Sequence, residues 1–141
     1  MNTSHAPSPG PSGAPNPLRR AQAIEALYAT AFWLIGERRF QDAAEVLRVM
    51  ARFAPADERA WLALGTCHEG LHQTTIALEM YGVGRVLAGP SVRCEIARVR
   101  LLRRLGRDGE ADDVLDQAAT LAEDVGDDEL DALVRAERRA S

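Results

Sequence analysis

The sequence predicts an all-α protein in which helical hairpins stack into a short right-handed solenoid. Three observations carry that expectation. Residues Glu58 to Ser91 hold one nearly complete copy of the 34-residue tetratricopeptide (TPR) pattern W-x2-L-G-x2-Y…A-x3-F…P, as Trp61, Leu64, Gly65 and His68, then Ala77 and Tyr81, then Pro90. The same register carried back one repeat meets Ala43, Leu47 and Pro55, and carried forward meets Ala111, Leu115 and Ala118. Finally, Ala43, Ala77 and Ala111 fall at one spacing, as they should if a small residue serves close helix approach in every hairpin. The fold class expected is three TPR hairpins followed by a C-terminal capping helix.

Each element has its own local warrant. Residues 1–17 are rich in Pro, Ser and Gly with no apolar run, and read as a disordered tail without a signal peptide. Asn16 and Pro17 suit an N-cap and a first helical position, and the apolar period of Leu18, Ala21, Ile24, Leu27, Tyr28, Ala31 and Phe32 carries a helix to Gly36. Phe40 to Phe53 is the second helix, broken by Ala54-Pro55-Ala56-Asp57. Helices over 58–70 and 74–87 form the next hairpin, and Gly89-Pro90-Ser91 ends it. The third repeat, from Val92, is the most degenerate, with Glu95 at the Trp position and Arg98 at the Leu position. Asp127 caps a last helix, Asp128 to Arg139, whose Leu130, Leu133 and Val134 make a narrow stripe for capping the stack. The repeats are thus expected at about 24–57, 58–91 and 92–125 within a domain of 18–125, with 126–141 as the cap.

A chain of 141 residues with a 46% apolar fraction supports one shared core. No run reaches the roughly 20 apolar residues of a membrane span, and Cys67 and Cys94 lie on expected helices rather than in a disulfide framework, so a soluble cytoplasmic protein is expected. All 17 basic residues are Arg, and the net charge of −4 hides a basic cluster, Arg98 to Arg107, beside the acidic stretch Asp108 to Asp131. That adjacency disfavours nucleic acid, because the acidic stretch would repel phosphates.

Candidate chemistry is sparse. His68-Glu69-Gly70-Leu71-His72 matches H-E-x-x-H, yet the register puts His68 at an inter-helix packing position and His72 in a turn, and the remaining histidine, His5, is in the tail. No glycine-rich phosphate loop and no nucleophile beside a base stand out. A binding protein, with neither cofactor, metal nor catalytic residue, is expected rather than an enzyme.

In this architecture the first helix of each repeat lines the concave face. Its groove positions are Glu25, Tyr28, Phe32 and Ile35, then Arg59, Leu62, Thr66 and Glu69, then Arg93, Ile96, Arg100 and Arg103. Tyr28, Phe32 and Ile35 alone would read as core, but Leu27, Ala31 and Leu34 already fill the packing positions of that helix. An apolar groove ending in guanidinium groups suits an extended peptide with spaced hydrophobic anchors. Two readings follow: a holding protein for an apolar client, or a scaffold that recruits a charged peptide tail through Arg93, Arg100 and Arg103. A third has the groove filled by the chain's own Pro7 to Pro17.

The segments Glu25 to Phe32, Arg39 to Ala43, Leu64 to Cys67 and Ala77 to Gly84 resemble the class II chaperones of bacterial type III secretion, which hold hydrophobic translocators before export. The likeness runs from about Ile24 to Ala88 and more weakly to Glu123. It implies a groove that takes an extended translocator segment at Tyr28, Phe32, Ile35, Phe40, Leu64 and Tyr81, without membrane insertion. Members usually begin with an ordered helix that contributes to dimerisation, where this chain has its Pro-rich stretch, so a homodimer is an open expectation. The Arg-rich third repeat departs from the family and leaves another export subunit, such as a needle protein, as an alternative client.

Overall fold

The computed structural model describes residues 16–140, and most of the predicted tail lies outside the described residues. Among the described residues seven helices follow one another: α1 Pro17–Gly36, α2 Phe40–Phe53, α3 Glu58–Gly70, α4 Thr74–Leu87, α5 Val92–Arg104, α6 Asp108–Val125 and α7 Asp128–Arg139. Asn16 and Pro17 already belong to the start of α1, so the helical domain opens one residue before the expected 18.

Consecutive helices pack as antiparallel hairpins, α1 on α2, α3 on α4 and α5 on α6, and α7 lies against α5 and α6. The backbones of the odd-numbered helices also approach closely across hairpins, α1 to α3, α3 to α5 and α5 to α7, whereas those of α2, α4 and α6 stand farther apart. An inner layer of close-spaced helices under an outer layer of splayed ones bends the stack and leaves the odd helices on its concave side.

Local chemistry explains the boundaries. Asn16, Asp57, Ser91 and Asp127 cap the odd helices by accepting backbone N–H bonds through their side chains. Within each hairpin the turn repeats itself: the amides of Arg39, Gln73 and Arg107 donate to the carbonyls of Leu34, His68 and Leu102, closing the same six-residue loop. Its left-handed residue is Arg38 (φ 60°), His72 (φ 59°) and Gly106 (φ 73°). Only the third is the residue type that adopts this region freely.

The core divides into an N-terminal cluster around Leu47, Met50 and Leu64, a middle one of Ala77, Tyr81 and Leu101, and a C-terminal one around Ile96, Leu102 and Leu115 that reaches Leu130 and Val134 of α7. Small residues set the helix spacing. A Cβ at Gly65 would lie 2.0 Å from the Tyr81 ring, one at Gly70 2.6 Å from Phe40, and one at Gly84 2.6 Å from Cys94 Sγ and Trp61 Cβ.

Glu95, at the position Trp61 holds one repeat earlier, is fully buried. Arg98 Nη1 and Arg85 Nε each stand 3.4 Å from its carboxylate, and Oε2 and Arg85 Nε lack a hydrogen bond. Burial raises this carboxyl above its ordinary value of 4.5, and Arg98 and Arg85 oppose that only in part. Because the folded state binds the proton more tightly than the unfolded chain, this group's contribution is favourable below that value and is lost as pH rises through the raised one.

Two outcomes are expected. Glu95→Gln should raise the melting temperature at neutral pH by a few degrees, on the order of 1 kcal/mol, and flatten its decline with rising pH; an unchanged pH profile would show that Glu95 is not responsible. His72→Gly should stabilise by about 0.5–1 kcal/mol, seen as a higher urea midpoint at constant slope, since His72 is exposed and its left-handed backbone is relieved.

Candidate functional site

The inner face is built from α1, α3 and α5 and changes along its length. On α1, Phe32 is 70% exposed, and its ring centroid stands 6.3 Å from that of half-buried Tyr28. The Arg59 guanidinium lies 4.6 Å over the Tyr28 ring while donating to Asp57 at 2.8 and 3.0 Å and to Glu25 at 2.6 and 3.1 Å. Hydrogen bonds to Asp57 and then Glu25 hold Arg59 firmly protonated, and Arg59 in turn lowers both carboxyls. Arg59 therefore ties α3 to α1 and fixes the aromatic pair.

In the middle, Leu62, Thr66 and Glu69 of α3 face Ala97, Arg100 and Arg104 of α5 across a depression of about 410 Å³, with Tyr81 of α4 beneath it. The Tyr81 hydroxyl donates to Glu69, which also accepts from Arg104. Burial pushes the Tyr81 hydroxyl up to about 12, so it stays a donor throughout the physiological range. Apolar walls and a polar rim of one carboxylate and two guanidinium groups suit an apolar side chain on an extended backbone.

The far end is not the open arginine cluster that the repeat register predicts. Helix α7 lies on α5 there, and buried Glu137 accepts from Arg100 Nε at 3.0 Å and from Arg103 Nη1 at 2.9 Å. Arg103 also donates to the Glu137 backbone carbonyl, and Arg93 bridges Glu58 and Glu129 at 3.1 and 3.2 Å. Ile96, an expected groove position, is only 2% exposed. The chain thus supplies from its own last helix the carboxylates that a bound tail would have brought.

Of three further expected contact residues, Leu64 and Tyr81 are buried and Phe40 is half-buried. Leu64 is core, Tyr81 is the floor of the depression with its hydroxyl turned to Glu69, and Phe40 fills the gap over Gly70 at the first turn of α2 rather than lying on an inner helix. Ile35 is half-buried against the N-terminal cluster. Leu62, Tyr81 and Arg100 are brought together, while Tyr28 and Phe32 form a separate patch one repeat away. Sequence reasoning missed Ala97 and Arg104, which follow groove positions by one residue. His68 is buried with Nδ1 2.7 Å from Gln73 Oε1, and the thiols of Cys67 and Cys94 are buried and pushed up to about 11 by desolvation.

Glu137→Gln should leave Arg100 and Arg103 without their countercharge and loosen α7 by about 2 kcal/mol, read as faster amide exchange confined to 128–139. Unchanged exchange there would mean that apolar contacts alone hold the helix.

No family model and no curated protein matches the chain. Solved structures do. The type III secretion translocator chaperone SycD of Yersinia enterocolitica shares 25% identity at a TM-score of 0.72, over 86% of this chain and 91% of its own. PcrH of Pseudomonas aeruginosa shares 26% at 0.67, over 84% and 91%. PcrH in complex with the chaperone binding region of PopD aligns at 24% and 0.67, over 85% and 91%. The fold is therefore that of the class II translocator chaperones, across most of both chains.

Proposed function

We propose that this chain, built on the fold of the type III secretion translocator chaperones, is a cytosolic holding protein that seats an extended apolar segment of a hydrophobic translocator in its inner groove. The observation that carries the reading is Phe32. A helix does not gain from presenting a ring 70% exposed beside a half-buried tyrosine, in line with a polar-rimmed depression one repeat further on, unless something covers them. Tyr28 and Phe32 would take one anchor, and the depression between Leu62 and Ala97 would take the next.

Support also comes from PcrH, of similar fold, which has been crystallised with the chaperone binding region of PopD. A client bound for a membrane exposes apolar segments, and burying a few of them suppresses aggregation by mass action, with no turnover required. The competing scaffold reading loses ground because Arg93, Arg100 and Arg103 are already paired within the chain.

The test is co-expression with a translocator-type secreted protein, followed by titration of the segment retained. Phe32→Ala should weaken binding by about 1–3 kcal/mol, roughly 5- to 150-fold, with little response to added salt. Binding that survives Phe32→Ala but disappears on Arg104→Ala and weakens with salt would replace the apolar holding mechanism with electrostatic capture.

A further inference from the structure

The outer side of the stack carries a second apolar surface, on α4. Val86 is 70% exposed and Leu87 50%, and with Met80 and Val83 they border a shallow trough of about 550 Å³ whose single charged lining residue is Glu79. Through Met80 this surface continues into a second trough, about 390 Å³, between α2 and α4, where Ala51, Trp61 and Leu64 form the apolar part and Arg48 and Arg52 the edge. Trp61 and Leu64 come from α3, but no residue of either trough lines the inner depression.

Two independent features say what covers it. One is Gly82, in the middle of α4 and lining the first trough. A glycine inside a helix weakens it relative to alanine and normally answers to a close neighbour. Gly65, Gly70 and Gly84 have such neighbours under 3 Å from a Cβ, but a Cβ at Gly82 would meet nothing within 4 Å. The space it leaves lies on the row Glu79, Gly82, Val83, Val86, whose helical spacing forms a ridge with a notch into which another helix can pack. The other feature is charge. The inner-face cations Arg59, Arg93, Arg100, Arg103 and Arg104 each hold a carboxylate of the chain, whereas Arg48 and Arg52 pair with none among the described residues.

We infer that the outer face of α4 is a docking surface for an amphipathic helix of a partner protein, packed close at Gly82 and carrying carboxylates beside its apolar stripe that meet Arg48 and Arg52. This site is separate from the groove and does not rest on the chaperone reading.

The probe is a labelled amphipathic helical peptide with a leucine face flanked by glutamates, compared with its twin carrying lysines in their place, titrated against the full chain by fluorescence anisotropy. The glutamate peptide should bind about tenfold more tightly or better. Gly82→Leu and Val86→Glu should abolish binding, and the double variant Arg48→Glu with Arg52→Glu should reverse the preference. Phe32→Ala should change nothing, which separates failure here from failure of the groove. Gly82→Ala should raise the melting temperature, showing that the glycine is not required by the fold itself. Equal affinity for both peptides, binding of neither, or loss on Phe32→Ala but not on Gly82→Leu would overturn the inference. So would self-association of the chain that Gly82→Leu and Val86→Glu both abolish, since that would assign the face to a second copy.

Discussion

The contact on which the structure turns is the Tyr81 ring over Gly65. With the ring lying where a Cβ would sit 2.0 Å away, α4 can approach α3 only because that position has no side chain. That approach buries Tyr81 beneath the inner face, directs its hydroxyl to Glu69, and leaves the depression between Leu62 and Ala97 with a floor. Gly70 under Phe40 and Gly84 against Trp61 repeat the device between neighbouring helices. Adding a methyl group at a close-packed position typically costs about 1–3 kcal/mol, a large share of a domain's net stability. Groove shape and hairpin packing are therefore one constraint.

Electrostatics organises the same face in a different way. The arginines that crowd α5 form bonds from one repeat to the next: Arg93 to Glu58 and Glu129, Arg104 to Glu69, Arg100 and Arg103 to Glu137. Arg59 does the same for Glu25 one repeat earlier. Exposed pairs of this kind contribute little each, but those meeting at buried Glu137 hold α7 in place and close the far end of the groove. What remains uncovered is the aromatic end, at Phe32, and the central depression, which is why the apolar reading of the groove outweighs the charged one.

Much of this was legible in the sequence. Helix limits were readable because caps and breakers are local chemistry: Asn16, Asp57 and Asp127 announce α1, α3 and α7, and Pro55 and Gly89-Pro90-Ser91 the breaks between repeats. The inner face was also readable, since a repeat register states which way each position points. It does not state depth. Leu64 and Ile96 point the expected way or pack as expected of their type, yet their exposure is decided by helices distant in sequence, and Ile96 is covered by α7. Ion-pair partners were illegible for the same reason, 34 to 37 residues separating the members of the cross-repeat bonds. The left-handed turns at Arg38 and His72 went unseen because only Gly106 carries the residue type that signals one.

The most direct test of the groove is to place a photo-reactive phenylalanine analogue at Thr66, exposed at the centre of the inner face, and at Asp112 on α6 as a control, and to map the cross-links formed with a co-expressed translocator-type client. One short, apolar, extended client segment should be attached at Thr66 and none at Asp112. Cross-links at Asp112 with none at Thr66, or links at Thr66 scattered over the client without a common segment, would contradict the groove reading.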